Sequence, residues 1–188
     1  RKISSFSGRL NENLKNNLDE RQQVYLKVIE RSSRKMKTNI EDLGELTRVS
    51  NADIVFEEVD LGDVMESVLE NLSLDIIKSM AQFEIESLST LVSDKKHLIE
   101  LFGGIVSNCL NFKRENEALE IQIKSQEAED GYVIISVKDT GIGFDNKYAD
   151  RIFVPFQQLS RVGTDEGSGM GLAICKKIVT RLGGEISA

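Results

Sequence analysis

Apolar residues recur at helical spacing from Arg1 to about Asn51, and no strand-like segment interrupts them. Ile3, Phe6, Leu10 and Leu14 share one helical face. The polar run Asn16-Asn17-Leu18-Asp19 reads as a turn, with Asp19 placed to cap the next helix. From Glu20 this long second helix carries Tyr25, Ile29, Met36, Ile40, Leu43 and Leu46 near heptad spacing. Two helices cannot bury such a stripe between themselves, so this hairpin is expected to complete a four-helix bundle as a homodimer. Packing of the stripe against the rest of its own chain is the alternative.

The pattern changes at Ala52. Ile54–Val59 reads as a short strand, and a helix starting at Asp60 runs to about Asn71 or beyond. Ala81–Glu86 alternates as a strand does, Leu91–Ser93 is a third strand, and Asp94 caps a helix over Lys95–Leu110. Leu119–Lys124 alternates cleanly. Tyr132–Val137 is a continuous apolar run rich in β-branched residues, hence a buried strand, and Leu172–Val179 has helix composition. The fold class is therefore α+β: a helical-hairpin dimerisation segment over residues 1–53, then an α/β sandwich of mixed sheet and helices over residues 54–188.

Composition narrows this only slightly. At 188 residues and 40% hydrophobic content the chain can bury one large core or two small ones. A formal charge of −7 argues against a nucleic-acid-binding surface. No run is long enough to span a bilayer and no signal peptide is visible, so no direct membrane contact is expected from this segment. Cys109 and Cys175, far apart in sequence on predicted helices, read as buried reduced thiols of a cytoplasmic protein.

The chemistry gathers near the C-terminal end. Asp139 follows the Tyr132–Val137 strand directly, where a strand end can aim a carboxylate into a pocket. A carboxylate only accepts hydrogen bonds, and the exocyclic amine of adenine donates them. Gly141 and Gly143 permit positive φ and close approach of a ligand to the backbone. Gly167, Gly169 and Gly171 then open a helix, whose N-terminal N–H groups and dipole favour phosphate. The P-loop lysine is absent, and so is a dinucleotide fingerprint after an early strand. The order of the pieces, with Asn108 on an upstream apolar helix, makes a nucleotide site.

These residues resemble the catalytic and ATP-binding domain of sensor histidine kinases, in the ATPase superfamily shared with gyrase, Hsp90 and MutL. Asp139-Thr-Gly-Ile-Gly-Phe144 matches the first glycine box of that family and Arg151-Ile-Phe-Val-Pro-Phe156 its phenylalanine box. The run from Gly167 to Val179 matches the second glycine box, and Leu101–Arg114 the asparagine box. The opening segment Arg1–Leu10 resembles the stretch just after the phosphoacceptor histidine of phytochrome-like kinases. The resemblance implies ATP and Mg²⁺ as cofactors, with Asn108 as the Mg²⁺ ligand and Phe112 lining the adenine pocket. Asp139, Gly141, Gly143, Gly167, Gly169, Gly171 and Leu172 would complete the nucleotide site. Gln157–Glu166 matches the ATP lid and contains Gly163, with Arg161 as its phosphate contact and Phe153 and Phe156 as packing anchors at its base. The γ-phosphoryl would pass to a histidine on the bundle and then to an aspartate of a response-regulator receiver domain.

The resemblance has departures. The family carries an asparagine, or in its hydrolysing members a glutamate, where Gly104 stands. It often has a lysine where Asn111 stands; here the nearest positive charges are Lys113 and Arg114. One lost donor to phosphate is worth about 1–3 kcal/mol. These departures keep a second reading in view, a degenerate kinase domain acting as a dimeric scaffold or nucleotide sensor. The missing glutamate and the hairpin argue against a DNA-transaction ATPase. His97, the only histidine, stands at the start of the asparagine-box helix and reads as an ordinary surface residue. The phosphoacceptor is therefore expected just before Arg1, and no catalytic residue is assigned within this chain. Gly183–Ala188 resembles the segment that opens the family's last hairpin, so the domain is expected to extend past Ala188.

Overall fold

A computed structural model of the chain describes residues 3, 6–10, 18–86, 88–128, 131–159 and 168–188. These form two compact units, Arg1–Glu45 and Leu46–Ala188.

In the first unit, residues 6–10 are helical, and helix α1 (Glu20–Asn51) begins in this unit and runs on into the second. Its start is fixed by a capping box. Asp19 Oδ1 accepts the Gln22 N–H at 2.8 Å, and Gln22 Oε1 accepts the Asp19 N–H at 3.1 Å. Of the apolar positions read from the sequence, Tyr25, Ile29, Met36, Ile40 and Leu43 are exposed in the single chain, and Leu46 is half-buried.

The second unit begins with the last turns of α1, and several contacts tie this segment down. Val49 is fully buried, Arg48 pairs with Glu100, and the Arg181 guanidinium donates to the Val49 and Ala52 carbonyls. Those carbonyls are orphans of a helix end, so the arginine both satisfies them and complements the dipole. The order then runs β1 (Glu57–Asp60), α2 (Leu61–Asn71), α3 (Ser73–Ser79), β2 (Gln82–Ile85), β3 (Thr90–Ser93), α4 (Lys95–Asn111), β4 (Glu120–Glu127), β5 (Val133–Asp139) and α5 (Gly171–Arg181). Strand β1 pairs antiparallel with β3; β2 pairs parallel with β4, which pairs antiparallel with β5. The mixed α/β sandwich expected from the sequence is the observed layer. Ile121 and Ile123 of β4 face the core, where Val64 and Val68 of α2, Leu98 and Val106 of α4 and Ile178 of α5 meet them.

The helix expected from Asp60 to about Asn71 or beyond is divided in two, α2 and α3. The helical path breaks at Leu72 (φ −100°, ψ 9°), resumes, and stops at Met80 in the left-handed region (φ 55°).

His97 requires a correction. It is 2% exposed, not a surface residue. It belongs to the buried stripe of α4 with Leu98, Leu101, Phe102, Val106, Cys109 and Leu110, so the helical period carries it inward. Its main-chain N–H donates to Oδ1 of the N-cap Asp94 at 2.9 Å. Its Nδ1 lies 2.9 Å from the same oxygen but out of line for a hydrogen bond, and Nε2 has no partner among the described residues. Asp94 Oδ2 also accepts the Val55 N–H at 2.9 Å.

Burial opposes ionisation of Asp94 and is the largest single influence on it. The hydrogen bonds from Val55 and His97, with the nearby imidazole, together outweigh burial and hold the carboxyl below its ordinary value of 3.8. The carboxylate therefore stabilises the fold fully above the unfolded pKa, and that contribution fades as pH falls through the lowered folded value. Thermal melts from about pH 6 to about pH 2 should show an acid-side loss of stability that is smaller in Asp94→Asn. Equal acid-side slopes in the two proteins would remove Asp94 from this role.

Candidate nucleotide-binding site

Strand β5 delivers Asp139 to its own C-terminal end, in register opposite the buried Ile121. The strand end is held in place: the Thr140 N–H donates to Glu120 O at 3.1 Å, and Thr140 Oγ1 accepts the Glu120 N–H at 3.0 Å. The Asp139 residue is exposed, yet its carboxylate is oriented. Oδ1 accepts the Gly141 N–H at 2.8 Å, and Oδ2 lies 3.8 Å from Cys109 Sγ on α4. Burial, and then the neighbouring Asp139 charge, pushes the Cys109 thiol up to about 12, so it stays protonated and donates. Cys175 is pushed up to about 12 chiefly by burial, and both cysteines are free and buried, as their placement on apolar helices predicts.

The glycines divide by task. A Cβ on Gly141 would lie 2.6 Å from Phe112 O, the acceptor of the Ile142 N–H at 2.9 Å, so this glycine lets the loop close onto the end of α4. Gly169 is held at φ +76°, and a Cβ there would meet Gln157 O at 2.6 Å. A Cβ on Gly143 (φ +62°) or Gly171 would meet nothing within 4 Å among the described residues. These two leave open space in front of the backbone. Arg161, Gly163 and Gly167, expected at the site from the sequence, lie outside the described residues.

Met170, the N-cap of helix α5, makes no side-chain cap hydrogen bond among the described residues, and the first turn carries no acidic residue. The N–H groups of Gly171 and Leu172 belong to the set that an α-helix cannot satisfy internally. An uncapped, uncompensated helix N-terminus suits phosphate. Helix α4 runs alongside. Cys175 Sγ donates to Leu101 O at 3.6 Å, and a Cβ on Gly104 would lie 2.8 Å from that sulfur. The departure at Gly104 thus has a packing cause: Cys175 of α5 fills the space that a side chain would enter.

Asn108 stands in the last turns of α4, half-buried, and no described residue hydrogen-bonds its side chain. One residue on, Cys109 meets Asp139; one turn on, Phe112 is 44% exposed, with its main-chain carbonyl against the glycine loop. The amide oxygen of this half-buried side chain is a hard donor that fits Mg²⁺, which takes one or two protein oxygens plus phosphate and water. Among the described residues no group of three or more His, Cys, Asp or Glu forms another metal cluster.

The nearby cations are already engaged. Lys113 Nζ donates to Ser79 O at 3.3 Å, and Arg114 Nε donates to Gly141 O at 3.0 Å. Arg114 is thus a brace of the glycine loop, a role that its sequence neighbourhood does not signal. Nor does the sequence place Cys109 in the site; its one signal is a position in the buried stripe of α4. Of the two expected phenylalanine anchors only Phe153 packs, 6% exposed with Lys176 Nζ 5.6 Å from its ring. Phe156 is 49% exposed, a correction to its expected anchoring role. It adopts φ 62°, which brings its main chain, not its ring, against Gly169.

The model of the family "Histidine kinase-, DNA gyrase B-, and HSP90-like ATPase" matches residues 93–188. Cyanobacterial phytochrome A of Nostoc sp. is 36% identical over 144 residues, 77% of this chain and 19% of that protein. Sensor histidine kinase GacS of Pseudomonas protegens is 29% identical over 183 residues, 92% of this chain and 20% of that protein. The chain therefore spans about a fifth of the length of these relatives. Among solved structures, histidine kinase ThkA in complex with response regulator protein TrrA has a TM-score of 0.68 at 21% identity, covering 97% of this chain and 52% of that one, a likeness of fold. With a family model matched across the asparagine helix and the glycine loops, the chain belongs to the histidine kinase-, DNA gyrase B- and HSP90-like ATPases, as a histidine kinase catalytic ATPase domain preceded by a helical segment.

Proposed function

We propose that this chain is the kinase core of a sensor histidine kinase, which binds ATP with Mg²⁺ and passes the γ-phosphoryl to a histidine on a helical bundle and then to a response-regulator aspartate. The observation that carries this reading is the carboxylate of Asp139, oriented by Gly141 and by Cys109, the residue after Asn108 on α4, with the start of α5, which packs on α4 through Cys175, as its further support. Asp139 accepts the adenine amine, Phe112 lines the base, and the N–H groups of Gly171 and Leu172 hold phosphate. Asn108 offers its amide oxygen to Mg²⁺, which when bound neutralises phosphate charge. Positioning and charge neutralisation are what phosphoryl transfer chiefly requires of a protein. The exposed stripe of Tyr25, Ile29, Met36, Ile40 and Leu43 on α1 supports a homodimer. The ThkA–TrrA complex supports a receiver domain as partner. No helix among the described residues is long and apolar enough to cross a membrane, and a cytoplasmic site of action is part of this proposal.

The second reading, a scaffold or nucleotide sensor, draws on Gly104, which carries no donor and is packed against Cys175. Labelled ATP given to the full-length protein separates the two. Acid-labile label on a histidine of the bundle is the expected result, with none on the buried His97. Nucleotide binding without any label on the protein or on a receiver domain would favour the scaffold.

A further inference from the structure

We infer that Cys109 is a positioning and specificity residue of the adenine pocket, a thiol floor that sets the carboxylate of Asp139 for an exocyclic amine. The inference rests on the reading of Asp139 as the adenine acceptor. Two donors on different elements hold the two oxygens of one exposed carboxylate: the Gly141 N–H at 2.8 Å on Oδ1 and Cys109 Sγ at 3.8 Å on Oδ2. Cys109 is itself 5% exposed, so its sulfur lies below the carboxylate and does not compete for the ligand's side of it. A carboxylate oxygen has more than one acceptor direction. With one direction on each oxygen occupied from within the protein, the directions that remain face outward. That arrangement favours a purine that donates, such as adenine, over one that presents a carbonyl at the same ring position.

A cysteine is suited to this place. Its S–H is a weak donor, enough to fix a rotamer without making the carboxylate a poorer acceptor for the base. Its small volume fits the buried stripe of α4, where a larger polar side chain would crowd the core. The residue also couples two halves of the site, because it follows Asn108 directly on the same turn of α4.

The test uses four proteins, wild type, Cys109→Ala, Cys109→Ser and Cys109→Val, titrated with ATP and with ITP, whose base carries a carbonyl where adenine has its amine. Wild type should prefer ATP. Ala and Val should weaken ATP by about 3- to 10-fold, the weight of one modest hydrogen bond, and leave ITP within about twofold, so the preference falls. Ser keeps a donor and should restore it. The S–H stretching band that Cys109→Ala removes should shift when ATP is added. If all three variants keep the wild-type ATP-to-ITP ratio, even with altered melting temperatures, Cys109 is only a packing residue and the inference is wrong. Failure of wild type to bind ATP would instead overturn the underlying reading of the site.

Discussion

Asp139→Asn is expected to weaken ATP binding about 10- to 100-fold while changing stability by less than about 1 kcal/mol. The substitution preserves shape. The new amide's carbonyl oxygen can take the Gly141 N–H that Oδ1 accepts at 2.8 Å, which keeps the loop closed. The amide nitrogen then stands where Oδ2 was, facing both the Cys109 thiol and the ligand. Donor meets donor on both sides. A hydrogen bond to a charged group is worth about 1.5–3 kcal/mol, and the variant loses it together with the charge. Calorimetric titration checks the affinity and a thermal melt checks the fold. An Asp139→Asn protein that binds ATP as wild type does would remove Asp139 from the adenine pocket.

The second large effect comes from the glycines before α5, which should fail in opposite ways. Gly169→Ala puts a methyl 2.6 Å from Gln157 O and forces an L-residue to φ +76°. The left-handed conformation alone costs about 1–2 kcal/mol, and the backbone collision adds strain that no side-chain rotation relieves. Loss of about 3 kcal/mol or more is expected, with the nucleotide site lost along with local structure. Gly171→Ala meets nothing within 4 Å among the described residues and keeps an ordinary helical conformation. The fold should be unchanged or slightly more stable, since alanine is the better helix residue. ATP affinity should nevertheless drop about tenfold, because the methyl enters the space in front of the helix N–H groups. Melting temperature and dissociation constant, measured on both variants, distinguish the two. A Gly171→Ala protein with unchanged ATP affinity would place the phosphates elsewhere.

The contrast between these glycines marks how far the sequence could be read. Local rules place the pieces: an apolar strand with Asp139 at its end, glycines before a helix, and Asn108 on an apolar helix. Their roles toward ATP and Mg²⁺ come from the order of the pieces and their resemblance to the boxes of sensor histidine kinases, not from the spacing of any one of them. The same local rules place the Asp19 and Asp94 caps. What spacing cannot separate is a glycine needed for packing from one needed for a ligand. Gly141 and Gly169 are pressed against backbone from distant parts of the chain, while Gly143 and Gly171 are not.

The same limit explains the other differences. Gly104 reads as a missing donor until Cys175, 71 positions later, is seen in its place. His97 reads as a surface residue when taken by its polarity. Its place in the α4 stripe, one position before Leu98 and four before Leu101, was the available signal, and burial follows that period. The parallel pairing of β2 with β4 has no local signature, because both strands alternate in the way an antiparallel pair would. Arg114 and Cys109 gain their roles only from contacts across the fold, to Gly141 O and to Asp139.

The central claim is that one nucleotide site is assembled from the Asn108 turn, Asp139 and the start of α5. Its most direct test is a calorimetric titration of this chain with a non-hydrolysable ATP analogue, with and without Mg²⁺, on wild type and Asn108→Ala. The account predicts one site per chain, tighter with Mg²⁺ than without, and loss of that Mg²⁺ enhancement in Asn108→Ala while metal-free binding persists. No heat of binding at millimolar nucleotide, or an Mg²⁺ enhancement unchanged by the substitution, would contradict it.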